Sequence, residues 1–96
     1  MSKTINSLAE TLGNALSQCD AKVTAAESCT GGGVAHAITG VAGSSKWFDC
    51  GFVTYANSAK QAMLGVPQEM LASQGAVSEA VVRSMVAGAA VAADAD

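Results

Sequence analysis

A glycine-rich turn between a short strand and a helix is the feature that most restricts how this chain can fold. The segment from Lys22 to Ala26 (KVTAA) is partly β-branched and follows a polar turn, which is typical of a buried strand. The strand ends at Glu27 and Ser28, and three consecutive glycines begin at Gly31. The apolar residues after them share one helical face: Val34, Ala37, Ile38 and Val41. The sequence therefore predicts a strand, a tight turn and a helix in direct succession.

A second strand is predicted from Phe52 to Tyr55 (FVTY), after a loop from Gly43 to Gly51. If the intervening helix is a right-handed crossover, the two strands are parallel and end at the same edge of one sheet. Open α/β sheets bind ligands at that edge. We therefore expect an α/β fold with a candidate site where the two strands end.

Helices are predicted for most of the remaining chain. Apolar residues recur at steps of three and four from Ile5 to Cys19, which indicates an amphipathic helix. Three later helices are predicted from caps and stops: one capped by Asn57 or Ser58 and ending at Leu64, one from Gln68 to Ser73, and one capped by Ser78. Hydrophobic residues make up 50% of the chain and aromatic residues 4%, so small side chains must fill the core. We expect a single domain over residues 1–96.

The charge pattern argues against several classes of function. Five Lys and Arg residues against eight Asp and Glu give a net charge of −3, and the basic residues are scattered. This pattern disfavours direct nucleic-acid binding. No segment is long and apolar enough for a membrane span, and the first residues lack the features of a secretory signal. We therefore expect a cytoplasmic protein without a membrane partner.

The cysteines and the single histidine do not predict a metal site. Cys19, Cys29 and Cys50 are an odd number without metal-ligand spacing, which favours reduced thiols over a disulfide framework. One histidine, His36, cannot build a metal site alone. We expect neither a metal nor a disulfide.

Polar residues follow both predicted strands and could converge in one crevice. Ser28 leaves the first strand, while Tyr55, Asn57 and Lys60 follow the second. A serine hydroxyl becomes a good nucleophile only when a base removes its proton, and Lys60 is better placed for this than His36. A lysine partly removed from water can act as such a base. The sequence thus predicts a serine nucleophile with a lysine base, although Ser28 could merely cap a helix and Lys60 could be a solvated helix lysine.

The turn Glu27-Ser28-Cys29-Thr30-Gly31-Gly32-Gly33 admits two kinds of anionic partner. Free backbone N–H groups at such a turn can bind a phosphate or a developing oxyanion. The spacing matches neither common phosphate-binding glycine motif, so the turn alone does not choose between them. Cys29 is a second candidate nucleophile, because a thiol in this position can ionise readily.

Four motifs together resemble a known family. They are AESCTGG from Ala26 to Gly32, GxVTYxNxxK from Gly51 to Lys60, LGV from Leu64 to Val66, and GAVSE from Gly75 to Glu79. In this order and spacing they resemble the CinA C-terminal domain, the nicotinamide-nucleotide amidase family. The resemblance covers nearly the whole chain but only the first part of the family domain, whose members continue well beyond the position of Asp96.

The resemblance implies a layered α/β/α domain with a small central sheet flanked by helices, truncated relative to the family. It implies hydrolysis of the carboxamide of nicotinamide mononucleotide to nicotinate mononucleotide and ammonia, with no cofactor and no metal. Ser28 then resembles the nucleophile, Lys60 its base, and Tyr55 a neighbour that moves or orients the proton. The substrate-binding residues it implies are Glu27, Thr30, Gly31, Gly32 and Asn57, with the amides of Thr30 to Gly32 facing the oxyanion.

Two other functions remain open at this stage. One is a nucleotide-binding module without turnover, in which the turn holds a phosphate and Ser28 only donates a hydrogen bond. The other is a protein-interaction module linked to competence, in which the partner is a protein. Because two strands cannot cover the predicted helices, we also expect exposed apolar surface and self-association into a homo-oligomer.

Overall fold

A computed structural model describes residues 3–96, so the first two residues of the predicted domain lie outside the described residues. Two strands, β1 (Ala26–Glu27) and β2 (Phe52–Val53), pair in parallel with Ala26 opposite Phe52 and Glu27 opposite Val53. The predicted parallel pairing is confirmed.

Both strands are shorter than predicted. Before β1 and β2, one isolated parallel bridge joins Val23 to Phe48, and the Val23 N–H donates to the Trp47 carbonyl at 2.9 Å. The chain between Phe48 and Phe52 bends away from the ladder, and there the Thr24 hydroxyl donates to the Cys50 carbonyl at 2.8 Å. The predicted strand from Lys22 to Ala26 is therefore wrong in its bounds, because its partner rejoins it only at Phe52.

Within residues 3–96, five α-helices surround the sheet. They are α1 (Lys3–Cys19), α2 (Gly33–Thr39), α3 (Asn57–Leu64), α4 (Gln68–Gln74) and α5 (Glu79–Ala93). A short 3₁₀ turn at Ser44–Lys46 interrupts the predicted loop. The Ser78 cap of α5 is confirmed, because its Oγ accepts the Val81 N–H at 3.2 Å.

The predicted side-chain cap of α3 is wrong. Ala56 occupies the N-cap position, and no side chain caps this helix. The Ala56 carbonyl accepts the Lys60 N–H at 3.1 Å, so the helix starts one residue earlier than a cap at Asn57 would allow.

Two apolar clusters place helices on both faces of the sheet, as the α/β fold class requires. One cluster joins α3, α4 and α5, and Ala26 and Phe52 pack against it. The other contains Ile38, Trp47 and Phe48, with residues of α1 and Val23 packed against it. No helix within residues 3–96 is long and apolar enough to cross a membrane.

Several large apolar side chains remain exposed, as predicted. Leu8 of α1 and Val34 of α2 border an apolar groove of about 510 Å³ between these two helices. Val77, Val82 and Val86 are exposed beside the N-terminal half of α5. Self-association through such surface stays a prediction.

Candidate active site

Lys60 is the best-defined polar group of the site. Its side chain is buried, with 2% of the residue surface exposed. The Nζ donates to the carbonyls of Thr54 and Tyr55, each at 2.8 Å, and lies 3.2 Å from the Ser28 Oγ. The alternative that Lys60 is a solvated helix lysine is therefore wrong.

The fold explains why Lys60 reaches the end of the sheet. After β2 the chain passes through Thr54 and Tyr55 and enters α3 at Asn57. Helical side chains point back towards the N-terminus of their helix, so a lysine in the first turn of α3 extends over the residues that precede it. The Lys60 ammonium group thus meets two carbonyls of the segment that leads into its own helix.

Ser28 lies where β1 ends. The ladder closes with the Thr54 N–H donating to the Glu27 carbonyl at 2.8 Å, and Ser28 is the next residue along the chain. Its hydroxyl contacts Lys60 and does not cap α2, whose N-cap position is occupied by Gly32. The structure therefore brings together Ser28 and Lys60, as the parallel strands predict.

Thr54 is a site residue that sequence reasoning missed. It is fully buried, and its hydroxyl lies 3.5 Å from the Glu27 carbonyl while its own carbonyl binds Lys60. A polar β-branched residue within the predicted strand from Phe52 to Tyr55 was the available signal. Its contribution to Lys60 comes from the backbone, which no side-chain pattern reveals.

The Glu27 carboxylate binds the protein's own turn and helix α2. Glu27 is 3% exposed, and its side chain points to the start of α2. Four donors surround the two carboxylate oxygens: the Thr30 hydroxyl at 2.8 Å and the N–H groups of Val34 at 2.9 Å, Ala35 at 3.0 Å and Gly32 at 3.2 Å. Glu27 was predicted to bind substrate, and this geometry gives it a different set of partners.

These contacts keep Glu27 ionised. Burial alone would raise the pKa of the Glu27 carboxyl, because it disfavours the charged form. The hydrogen bonds outweigh burial, those from the Ala35 and Val34 N–H groups most strongly, and hold the pKa below its ordinary value of 4.5. The turn therefore already contains a bound anion at neutral pH.

The glycines allow the turn to close on itself. Gly31 and Gly32 have φ angles of 59° and 102°, in the left-handed region that favours glycine. The Gly31 N–H donates to the Ser28 carbonyl and the Gly33 N–H to the Thr30 carbonyl, both at 3.0 Å. Together with the bonds to Glu27, these contacts occupy the backbone N–H groups from Gly31 to Ala35 that the turn could otherwise offer to a ligand.

Tyr55 and Asn57 lie near the site in the chain, but both are exposed. Tyr55 is 75% exposed and contributes its carbonyl to Lys60, while Asn57 is exposed at the first position of α3. Within residues 3–96 neither side chain forms a hydrogen bond with Ser28 or Lys60. The roles assigned to Tyr55 and Asn57 stay predictions.

A cavity of about 260 Å³ opens beside Ser28. One side is the turn from Ala26 to Thr30. The opposite side is apolar and is formed by Ala76, Val77, Val82, Met85 and Val86. In the described part of the chain no basic side chain lines this cavity. The arrangement suits an uncharged or aromatic group next to the serine better than a phosphate.

Comparison with known proteins agrees with this architecture. Residues 5–96 match the family model of the CinA C-terminal domain. Over 89 residues the chain is 60% identical to "Nicotinamide-nucleotide amidohydrolase PncC" of Escherichia coli K12, which covers 93% of this chain and 54% of that protein. The chain thus spans about half the length of the curated relatives it matches.

Solved structures show the same fold. A competence/damage inducible protein CihA from Agrobacterium tumefaciens superposes with a TM-score of 0.96 at 43% identity, over 99% of this chain and 58% of that one. A CinA superfamily protein from Escherichia coli gives a TM-score of 0.95 at 39% identity, over 100% of this chain and 57% of that one.

Proposed function

Because the chain belongs to the CinA C-terminal domain family, we propose that its Ser28–Lys60 pair performs the acyl transfer of a nicotinamide-nucleotide amidohydrolase. The substrate is then nicotinamide mononucleotide, and the products are nicotinate mononucleotide and ammonia. The observation that carries the proposal is the buried Lys60 Nζ, 3.2 Å from the Ser28 Oγ, with its other contacts directed to two carbonyls.

The contacts of Lys60 suit a general base. A neutral amine has two hydrogens and one lone pair. When Lys60 is neutral, the carbonyls of Thr54 and Tyr55 can accept both hydrogens, and the lone pair is then directed at the Ser28 hydroxyl. In that form Lys60 accepts the hydroxyl proton as the serine oxygen attacks.

The proposed reaction has two steps that balance with water alone. The Ser28 Oγ forms a bond to the carboxamide carbon, its proton passes to Lys60 and then to the leaving nitrogen, and ammonia departs. Water next attacks the acyl-serine and gives one proton to Lys60, which passes it to the Ser28 oxygen as the acyl bond breaks. The released carboxylic acid loses its remaining proton to solvent and becomes the carboxylate product. Neither step needs a metal or a cofactor.

The oxyanion of each tetrahedral intermediate needs hydrogen-bond donors. The amides of Thr30 to Gly32 were expected to supply them, but those of Gly31 and Gly32 already bind acceptors of the turn. Within residues 3–96 the N–H groups of Cys29 and Thr30 have no protein acceptor. We assign these two amides as the oxyanion donors.

The Glu27 carboxylate argues against the turn as a phosphate site. It occupies the N–H groups of Gly32, Val34 and Ala35 with a negative charge. A nucleotide phosphate there would displace those bonds and meet a like charge. This disfavours a binding module that holds the phosphate at the turn, and the proposal places the carboxamide at Ser28 instead.

Ammonia release from nicotinamide mononucleotide tests the function. The chain and a chimera that continues into the second half of the Escherichia coli relative are incubated with the substrate, and ammonia and nicotinate mononucleotide are measured. Stoichiometric formation of both products, lost in Ser28→Ala, is the expected result. No product from either protein, with both folded by circular dichroism, would overturn the proposal.

A further inference from the structure

The acyl-transfer steps make no direct use of Glu27, although it precedes the proposed nucleophile. One carboxylate oxygen accepts three hydrogen bonds, from the Thr30 hydroxyl and the N–H groups of Gly32 and Val34. The other oxygen accepts the Ala35 N–H. Two donors belong to the turn and two belong to α2, so a single side chain joins the turn to the first residues of that helix.

The backbone of Glu27 is held as firmly as its side chain. Its carbonyl accepts the Thr54 N–H at 2.8 Å and faces the Thr54 hydroxyl at 3.5 Å. Glu27 therefore connects β2 on one side with α2 on the other. Ser28 directly follows Glu27 in the chain, and its own carbonyl accepts the Gly31 N–H. The backbone on both sides of the Ser28 side chain is therefore held in place.

We propose that the Glu27 carboxylate is a positioning residue, an internal anion that fixes Ser28 against Lys60 and aims the Cys29 and Thr30 amides. This inference rests on the proposed function, because it assigns a role within acyl transfer. The carboxylate occupies the place where a glycine-rich turn would bind an anionic ligand. The N–H groups of Cys29 and Thr30, which follow Ser28, have no acceptor within residues 3–96.

The geometry requires a carboxylate, not merely a side chain of that size. Glutamine offers one acceptor oxygen and an NH₂ group. With its oxygen towards Val34, its NH₂ would face the Ala35 N–H, so two donors would point at each other. A glutamine therefore fits the space but loosens the turn, and a loosened turn shifts the serine relative to its base.

The test compares Glu27→Gln with the matched control Glu69→Gln, which makes the same change at an exposed carboxylate in the first turn of α4. The first readout is amide hydrogen exchange at Gly32, Val34 and Ala35, measured by NMR. The second is the rate at which an alkyl fluorophosphonate labels the protein, measured by intact mass, with Ser28→Ala as the reference for labelling at other sites.

We expect Glu27→Gln to speed exchange at the three amides about tenfold or more, since their acceptor is lost. Labelling should slow by about tenfold or more, as displaced nucleophiles lose that much or more in rate. Glu69→Gln should change neither. If Glu27→Gln fails to fold, Thr30→Val, which removes one donor to the same oxygen, should slow labelling in the same direction by a smaller factor.

A merely structural role for Glu27 would look different. A lower melting temperature with an unchanged labelling rate in the folded variant would overturn the inference, as would unchanged exchange at the three amides. Equal labelling of the wild type and Ser28→Ala would instead overturn the proposed function, and the role in acyl transfer with it. If the wild type is labelled at Ser28 and Glu27→Gln is labelled at the same rate, this inference alone is overturned.

Discussion

Lys60 and Ser28 are 32 positions apart in sequence, yet the Nζ of one lies 3.2 Å from the Oγ of the other. Their proximity follows from the parallel pairing of β1 with β2, in which Glu27 lies opposite Val53. The chain leaves both strands at the same edge, so the residue after β1 meets a lysine in the first turn of α3. The pairing of the two strands therefore creates the site. Substitutions of Ser28 and Lys60 test its chemistry, and substitutions in the helices that support it test its packing.

Ser28→Ala should abolish amidase activity, while Cys29→Ala should retain most of it. The Ser28 Oγ lies 3.2 Å from the Lys60 Nζ, whereas the Cys29 thiol is exposed and has no hydrogen-bond partner within residues 3–96. Ammonia release by the two variants, in whichever form of the protein is active, gives the comparison. Equal activity of Ser28→Ala and the wild type would remove the serine mechanism.

Lys60→Met should lower kcat by about a hundredfold or more, within the usual contribution of general base catalysis. Methionine keeps the stem of the side chain but cannot accept the Ser28 proton. Initial rates over a range of substrate concentrations separate kcat from KM. A rise in KM with an unchanged kcat would show that Lys60 binds substrate and is not the base.

The matched control is Lys46→Met, which deletes an exposed ammonium group in the 3₁₀ turn. Lys60→Met also leaves the carbonyls of Thr54 and Tyr55 without their donor. We expect this to lower the free energy of unfolding by about 1–3 kcal/mol. Rates should therefore be compared at a temperature where circular dichroism shows both variants folded.

The sequence predicted the part of this site that depends on side-chain patterns. A β-branched segment before three glycines, with a second such segment further along, was enough to place Ser28 and Lys60 at one sheet edge. It did not predict the carbonyls of Thr54 and Tyr55, because backbone acceptors leave no mark on residue type. It left open that Glu27 merely caps a helix, but it could not predict the four donors that Glu27 binds, since these depend on the positive φ angles of Gly31 and Gly32.

The strand bounds failed for a related reason. Lys22 to Ala26 has strand composition along its whole length, but a strand needs a partner at each position. The bend between Phe48 and Phe52 removes that partner and leaves a single bridge at Val23. Local propensity cannot show where a distant segment bends away.

Gly88→Ala should destabilise the fold that supports Lys60. A Cβ at Gly88 would collide with the carbonyl oxygen and carbonyl carbon of Leu64, the last residue of α3. Because both obstacles are backbone atoms, α5 and α3 must move apart, and we expect the free energy of unfolding to fall by about 1–3 kcal/mol or more. Urea unfolding followed by circular dichroism measures the change.

Gly33→Ala is the control for this substitution, since a Cβ at Gly33 meets no atom of the described residues, 3–96, within 4 Å. Its φ angle is also compatible with alanine, so we expect no loss of stability and a gain of up to about 1 kcal/mol. Equal unfolding midpoints for the two variants would show that α3 and α5 can separate freely.

The stability that the Glu27 contacts provide should disappear in acid. Its folded-state pKa lies below the ordinary value of 4.5, so the unfolded chain binds the proton more readily than the folded one. The contribution is therefore complete above about pH 4.5, and it is lost as the pH falls through the lower folded-state pKa. Glu27→Gln lacks this titration.

Urea unfolding of both proteins from pH 7 down to pH 3 checks this prediction. The wild type should be the more stable at pH 7, and the difference in unfolding free energy should shrink below about pH 4.5 as Glu27 takes up its proton. Other carboxyl groups titrate in both proteins and cancel in the difference. A difference in unfolding free energy that grows in acid would mean that folding raises the Glu27 pKa instead of lowering it.

The chain on its own should self-associate, and continuation into the second half of a relative should stabilise it. Leu8 is 64% exposed beside the apolar groove between α1 and α2, and the large valines near the start of α5 are exposed as well. The sheet has two strands within residues 3–96, so each strand also has an outer edge without a strand partner. Sedimentation velocity over a range of concentrations, with thermal melting of the same samples, compares the chain with the chimera and with Leu8→Gln.

We expect the chain to sediment faster as its concentration rises, because contiguous apolar surface and unpaired strand edges both favour association. Leu8→Gln should weaken this trend more than the control Ala62→Gln, which changes another exposed residue. The chimera should melt at a higher temperature than the chain. A chain that stays monomeric at every concentration and melts as high as the chimera would show that residues 1–96 already bury all the surface that their stability requires.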